Sequence, residues 1–200
     1  MRMTRAAIFV AFGTLLEQKS YSHITVQEIL DVADIGRSTF YAHFETKDAL
    51  LKAVCQELFQ HIVDSAMDAT HTHGLYSAEK APKSMFCHLL QHLERNNRMV
   101  GLLCGENGDL FQRYFKESLN ELVKTQVLPE GGSGIPGLPT DFLVNHISGS
   151  FVEMVLWWLK GNRQYTPEEL DRYFSAVIRP VLAEQKRTGG ETTARQQNCQ

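Results

Sequence analysis

Apolar residues recur at three- and four-residue spacing along nearly the whole chain, and no stretch alternates persuasively in the period-two manner of a half-buried strand. The pattern predicts an all-α protein. Ala7, Ile8, Ala11, Phe12, Leu15 and Leu16 lie on one stripe of a first helix opened by Thr4. Thr25 caps a second, with Glu28 at the capping-box position and Ile24 and Ile29 placed to staple the entry. Val26, Ile29, Leu30 and Ala33 make its buried face. Asp34-Ile35-Gly36 then signals a turn, since Asp tolerates a left-handed backbone and Gly adopts one freely. A short third helix follows from about Arg37 to Phe44, with Phe40 and Phe44 facing inward.

Thr46 caps a longer helix whose apolar positions run through Leu50, Leu51, Val54, Leu58 and Ile62 to about Ala69, ending at the loop His71-Thr72-His73-Gly74. Helices are expected next near Ala81 to Arg95, over the short apolar stretch Met99 to Cys104 after Asn96-Asn97, and from Asp109 through Val123. Leu128 to Pro139, LPEGGSGIPGLP, holds four glycines and three prolines and reads as a loop within one domain, because the helices on both sides are too apolar to stand alone. Thr140-Asp141 opens a helix to about Lys160 that is apolar almost all round and so must be covered on more than one side. Thr166-Pro167-Glu168-Glu169 combines a cap, a first-turn proline and a capping-box glutamate. Leu170, Tyr173, Phe174, Val177 and Val181 form the stripe of that last helix, which Pro180 kinks or ends.

The outward side of the third helix carries the chemistry. Ser38 and Ala42 point most directly away from Phe40 and Phe44, flanked by Arg37 and Tyr41 on one side and Thr39 and His43 on the other. A solvated helix face is usually rich in Lys and Glu; this one has small, hydroxyl, aromatic and basic groups and no acid. Such a face suits a DNA major groove, offering hydrogen bonds to base edges, methyl contact and phosphate contacts. Thr46 with Lys47 in the next first turn joins free backbone N–H groups to a cation, a combination suited to phosphate.

At these residues the chain resembles the TetR family of bacterial transcription regulators. The matching features are the Thr-capped helix, the alanine-ended turn, Ser-Thr-Phe-Tyr-Ala-His-Phe, and then Thr-Lys-Asp-Ala-Leu-Leu. The likeness is close over roughly the first sixty residues. Ser20 stands where the family usually has Gly, and Asp34 at the usual turn Gly, both tolerable substitutions. WWLKGNRQYTPEEL also resembles, over a shorter span, the C-terminal domain of TetR-type regulators of dihydroxyacetone-kinase operons, some of which are activators with a protein coregulator.

The resemblance implies a helix-turn-helix domain over residues 1–48 (motif about 25–44), a six-helix ligand-binding and dimerisation domain over 49–187, and a polar tail, 188–200, with no apolar periodicity, read as disordered. It also implies a homodimer placing two recognition helices in successive major grooves of a palindromic operator, about 34–36 Å apart. Base-edge roles fall to Arg37, Ser38, Thr39 and Ala42, mixed base or phosphate roles to Tyr41 and His43, and phosphate anchoring to Thr25 and Lys47. The expected dimer surface draws on Ser148, Gly149, Phe151, Val155, Trp158, Tyr173, Phe174 and Val177, the small run 148–150 permitting close helix approach. Phe86, Phe111, Tyr114, Phe115 and Glu153 are candidates for an effector pocket, although core packing explains the aromatics equally well. For Glu153 a pocket, a dimer contact and plain exposure all stay open, and Trp157 and Trp158 cannot both face the same way. A repressor released by a small-molecule effector is the leading expectation. An activator acting through a protein coregulator, or a helical ligand-binding protein that no longer reads DNA, are the alternatives.

Composition tempers this picture. The formal net charge is −3. The first 52 residues are neutral, Arg2, Arg5, Lys19, Arg37, Lys47 and Lys52 balancing Glu17, Glu28, Asp31, Asp34, Glu45 and Asp48. DNA affinity must therefore come from placement rather than bulk charge. Cys55, Cys87, Cys104 and Cys199 show no metal or redox spacing and suggest a reducing cytoplasm. The longest apolar run, Phe151 to Leu159, is too short for a membrane span, and the apolar N-terminal helix lacks a signal-peptide cleavage site. His88 and His92 stand at i, i+4, a spacing open to a transition metal, but neither a third ligand nor a partner for His71 and His73 is identifiable, so no metal or cofactor is expected. Nor is there a nucleophile elbow, a Gly-rich phosphate loop, a zinc signature or a paired-carboxylate motif, and an enzyme is not expected.

Overall fold

The computed structural model describes residues 2–67, 84–105, 108–128, 138–161 and 163–178. Among them every regular element is helical. The order is α1 (Arg2–Gln18), a 3-10 turn (Tyr21–His23), α2 (Val26–Ala33), α3 (Arg37–Tyr41), α4 (Lys47–Met67), α5 (Met85–Arg95), α6 (Asn97–Cys104), α7 (Gly108–Leu122) running on into a π-helical turn (Val123–Val127), and α8 (Thr140–Lys160). A last helix, α9, covers residues 167–178. The expected tail at 188–200, the Gly/Pro-rich stretch 129–137, His71, His73, Pro180, Val181 and Cys199 lie outside the described residues.

The caps written in the sequence set the helix starts. Thr25 accepts from the Glu28 amide while the Glu28 carboxylate accepts from the Thr25 amide, a reciprocal capping box. Thr166 and Glu169 repeat it at α9, with amide-to-side-chain distances of 2.9 and 3.2 Å. Ser84 caps α5 by accepting from the Cys87 amide at 3.0 Å, so that helix begins at Met85 rather than near Ala81. Each such cap stabilises its helix by about 1 kcal/mol.

One continuous core joins the small N-terminal bundle to the larger one. Ile8, Phe12, Ile29, Phe40, Leu50 and Leu51 are fully enclosed at one end, Phe111, Phe115, Ile147 and Phe151 at the other. α4 runs unbroken between them, packing against α5 and α7, while α1 packs on α2 and α6. Ion pairs cross the same junctions: Arg98 of α6 with Glu17 of α1 at 2.5 Å, and Lys52 of α4 with Glu117 of α7 at 3.0 Å.

α8 shows what an almost wholly apolar helix does here. By length and composition it is apolar enough to cross a membrane, a length that the run from Phe151 to Leu159 alone did not suggest. Leu143, Ile147, Phe151, Val155 and Trp158 instead pack inward in the core, and the Trp158 indole N–H donates to the Tyr165 carbonyl at 2.9 Å. Trp157, one residue away, is 56% exposed.

Candidate nucleic-acid interface

The approach to α3 is built by a tight turn. Asp34 takes the left-handed conformation (φ 51°, ψ 52°), and its amide still bonds the Leu30 carbonyl. Gly36, by contrast, is extended (φ −74°, ψ 154°), and a Cβ added there would meet nothing closer than 3.9 Å. The left-handed position in the turn is thus borne by Asp34. Its short polar side chain makes that conformation tolerable.

α3 is shorter than the periodicity suggested. It ends at Tyr41, and Ala42-His43 form a turn before Phe44. Phe40 is completely buried and Phe44 almost so, their rings 5.9 Å apart. Phe9 of α1 meets Phe44 edge-on at 5.7 Å, and the Arg5 guanidinium caps both Phe9 and Phe44. Two buried phenyl rings, each worth roughly 1.5–3 kcal/mol, hold the short helix at a fixed angle.

That anchoring leaves Arg37, Ser38, Tyr41 and Ala42 exposed together, with Thr39 and His43 half-buried at the edges. Thr25 is also exposed, at the N-terminus of α2. The Arg37 guanidinium donates to Gln27 Oε1 at 3.1 Å, and the Gln27 amide donates to Asp31 at 2.8 Å. Other cations of this region are engaged: Arg5 with Glu57, Lys19 with Glu28, Lys52 with Glu117. Arg37 is exposed and makes no ion pair with a described carboxylate.

Lys47 differs from the expectation. Its ammonium turns inward, donates to the Tyr21 and Ile24 carbonyls at 2.9 and 2.6 Å, and sits 4.2 Å from the Tyr21 ring centre. Burial holds its pKa below the usual lysine value. The Tyr21 hydroxyl donates to Asp48, and burial first, then that carboxylate, raises the phenol's pKa well above its normal range. Lys47, Asp48 and Tyr21 tie the start of α4 to the segment before α2, so the two flanks of the α2–α3 unit are clamped together. Held by two carbonyls, the Lys47 ammonium braces the start of α4 from inside. Thr46 does cap α4, accepting from the Ala49 amide at 3.0 Å. The Glu28 carboxyl is held down to about 2, chiefly by its hydrogen bond from Lys19 and then by those from Thr25.

The other expected sites are arranged differently. Phe111 and Phe115 are wholly buried, Phe115 packed edge-on to Phe59 at 5.1 Å, and Phe86 packs on Phe151 and Phe174 at about 5 Å. These rings form core. Tyr114 is half-buried with the Lys52 and Arg113 cations near its face, and Glu153 is exposed on α8. A groove of about 750 Å³ lies between α4 and α7, flanked by Lys52, Phe59, Glu117 and Asn120.

Of the expected dimer residues, Ser148, Phe151, Val155, Trp158 and Phe174 face the protomer's own core, and Gly149 lies against Lys116 of α7. Tyr173 and Val177 are exposed, 42% and 70%. The free side of α8 is the opposite stripe, Phe142, His146, Glu153 and Trp157, at i, i+4, i+11 and i+15. The choice of stripe was obscured because two large apolar rings, Phe142 and Trp157, stand on the outward side.

Two family models match the chain: "Bacterial regulatory proteins, tetR family" over residues 14–54, and "Transcriptional regulator C-terminal region" over residues 80–180. A TetR transcriptional regulator from Streptococcus agalactiae 2603V is similar in structure, with a TM-score of 0.62 and 32% identity, over 88% of this chain and 94% of that one. The chain belongs to the TetR family. The HTH-type transcriptional repressor DhaR of Mycobacterium sp. (strain GP1) is 24% identical over 191 residues, 88% of this chain and 90% of that protein. The HTH-type dhaKLM operon transcriptional activator DhaS of Lactococcus lactis subsp. lactis (strain IL1403) is 30% identical over 66 residues, 33% of this chain and 35% of that protein. The share of the curated relatives' own length that is covered runs from 35% to 90%. As a TetR-family member the chain is a DNA-binding transcriptional regulator, and the likeness to dihydroxyacetone-kinase operon regulators fits DhaS.

Proposed function

We propose that this TetR-family chain is a homodimeric repressor that reads a palindromic operator through α3 and leaves it when an effector binds the larger helical part. The observation that carries the reading is the exposed, acid-free set Arg37, Ser38, Tyr41 and Ala42, held outward by the buried Phe40 and Phe44. Arg37 is assigned to a base edge, Ser38, Ala42 and the half-buried Thr39 to shorter base contacts, Tyr41 and His43 to base or phosphate, and Thr25 to phosphate. Lys47 supports the unit from inside. The likeness to DhaR over nearly its whole length favours repression over activation.

Pairing of two protomers fits the exposed apolar groups Phe142 and Trp157 on α8 with Tyr173 and Val177 on α9, surface that a lone protomer leaves in water. Effector release follows population logic: the effector must bind more tightly to the arrangement whose recognition helices are wrongly spaced. α4 is the natural lever, since it starts at the clamp beside α3 and ends in the larger bundle.

The test is Arg37→Ala against duplexes selected by the wild-type protein. Loss of a bidentate guanine contact weakens binding by roughly 1–3 kcal/mol and relaxes one base position in each half-site. Equal weakening on every sequence would move Arg37 to the phosphate backbone, and no change would remove α3 from the groove.

A further inference from the structure

Three imidazoles from two helices converge beside the path from α4 into the larger bundle. His61 projects from α4, and His88 and His92 from successive turns of α5. One ligand nitrogen of each lies within 4.8 Å of the other two, with the Nε2 atoms of His88 and His92 3.1 Å apart. The ring centres stand 4.8–5.5 Å from one another. His88 is buried and the other two are half-buried. The i, i+4 pair was visible in the sequence; its third member sits 27 positions before His88, on a different helix.

We propose that His61, His88 and His92 bind one late first-row divalent ion, with Zn²⁺ the best fit, and that this ion is the effector class of the regulator. With Zn–N bonds of 2.0–2.1 Å, tetrahedral ligand nitrogens lie roughly 3.4 Å apart. The His88–His92 separation is already close to that, and small ring rotations bring His61 to the third vertex. An all-imidazole set selects Zn²⁺, Co²⁺, Ni²⁺ or Cu²⁺ over the oxygen-seeking Mg²⁺ and Ca²⁺. Three protein ligands leave a fourth position for water or a small ligand. The bonds join α4 to α5, so the ion fixes the helix that carries the DNA-reading unit relative to the larger bundle. The regulatory half rests on the DNA-reading proposal; the site itself does not.

The experiment uses the full-length, metal-stripped protein titrated with Co²⁺ and followed by visible absorption, then displaced with Zn²⁺. One equivalent per protomer with the intense bands of tetrahedral Co²⁺ is expected. His92→Gln, at a half-buried position that a glutamine fills, weakens binding by at least about 100-fold, the upper end of what loss of an outer-shell partner costs. His23→Gln, in the N-terminal unit, leaves it unchanged. Helical circular dichroism and melting of metal-free His92→Gln should match metal-free wild type, which separates ligand loss from misfolding. Absence of stoichiometric Co²⁺ and Zn²⁺ binding, or wild-type affinity in His92→Gln, overturns the site. Duplex affinity measured with and without Zn²⁺ reads the coupling. A Zn²⁺-dependent change that His92→Gln abolishes supports it, and metal binding with unchanged duplex affinity overturns the effector role. Failure of DNA reading would show separately, as no retained duplex in either state.

Discussion

Replacing Lys47 with Met separates its two possible roles. The ammonium donates to two main-chain carbonyls, at 2.9 and 2.6 Å, and lies 4.2 Å from the Tyr21 ring centre. Hydrogen bonds from a charged donor contribute about 1.5–3 kcal/mol each. The cation–π contact adds roughly 0.5–1 kcal/mol. Burial opposes this, as the lowered lysine pKa indicates, and the site is only partly screened from water. Discounting for both, Lys47→Met destabilises by about 2 kcal/mol. Met keeps the length of the stem, so the loss reports the charge and its bonds rather than a cavity. For a chain of this size, that energy lowers the melting midpoint by roughly 4–8 °C. Thermal and urea unfolding measure it, beside duplex affinity across a salt series. A strut predicts lower stability and an unchanged salt slope for whatever protein stays folded. A phosphate anchor predicts an unchanged midpoint and a slope shallower by about 0.9 per lost contact in each protomer. The second result would refute the inward placement of Lys47.

Glu28 carries a pH signature. Its carboxyl is depressed from 4.5 to about 2, so the stabilisation it supplies is complete above the unfolded value and is lost as pH falls through the folded one. The stability gap between wild type and Glu28→Gln, from urea midpoints, should hold constant down to about pH 5 and close toward pH 2. A gap that does not narrow would remove the Lys19–Glu28–Thr25 network as its source. Val177→Glu tests the pairing surface. Val177 is 70% exposed, and an exposed substitution costs the protomer fold no more than about 0.5 kcal/mol. A carboxylate buried between two protomers is strongly unfavourable, so sedimentation should shift from dimer to monomer, and an unshifted dimer would take that part of α9 out of the contact.

How far the sequence could be read follows from how local each feature is. The α2 capping box, the α9 capping box and the Phe40–Phe44 anchor lie within a few residues of their partners, and all appear as their spacing implied. The left-handed turn was foreseen with Asp34 or Gly36 able to bear it, and Asp34 does so, with Gly36 extended. Long-range features were less legible. The direction of Lys47 depends on carbonyls 23 and 26 residues away. The phase of α8 was hard to read, since Phe142 and Trp157 stand among the polar residues of its outward side, and packing against α6 and α7 distinguishes the two. Pocket wall and core stayed equally open for Phe111 and Phe115 in the sequence, and the fold places both in the core. The π-helical turn at Val123–Val127 has no glycine or proline to announce it. His61 lacked any local reason to be grouped with His88 and His92, because only the packing of α4 on α5 brings them together.

The central claim is that α3 reads DNA sequence. Selection of bound duplexes from a random pool by the purified full-length protein, read by sequencing, tests it most directly. The expected result is an inverted repeat whose half-sites are about one helical turn apart, roughly 34–36 Å centre to centre. Enrichment should fade in Arg37→Ala at one symmetric pair of positions. A folded wild-type protein that enriches no motif at low salt would contradict it.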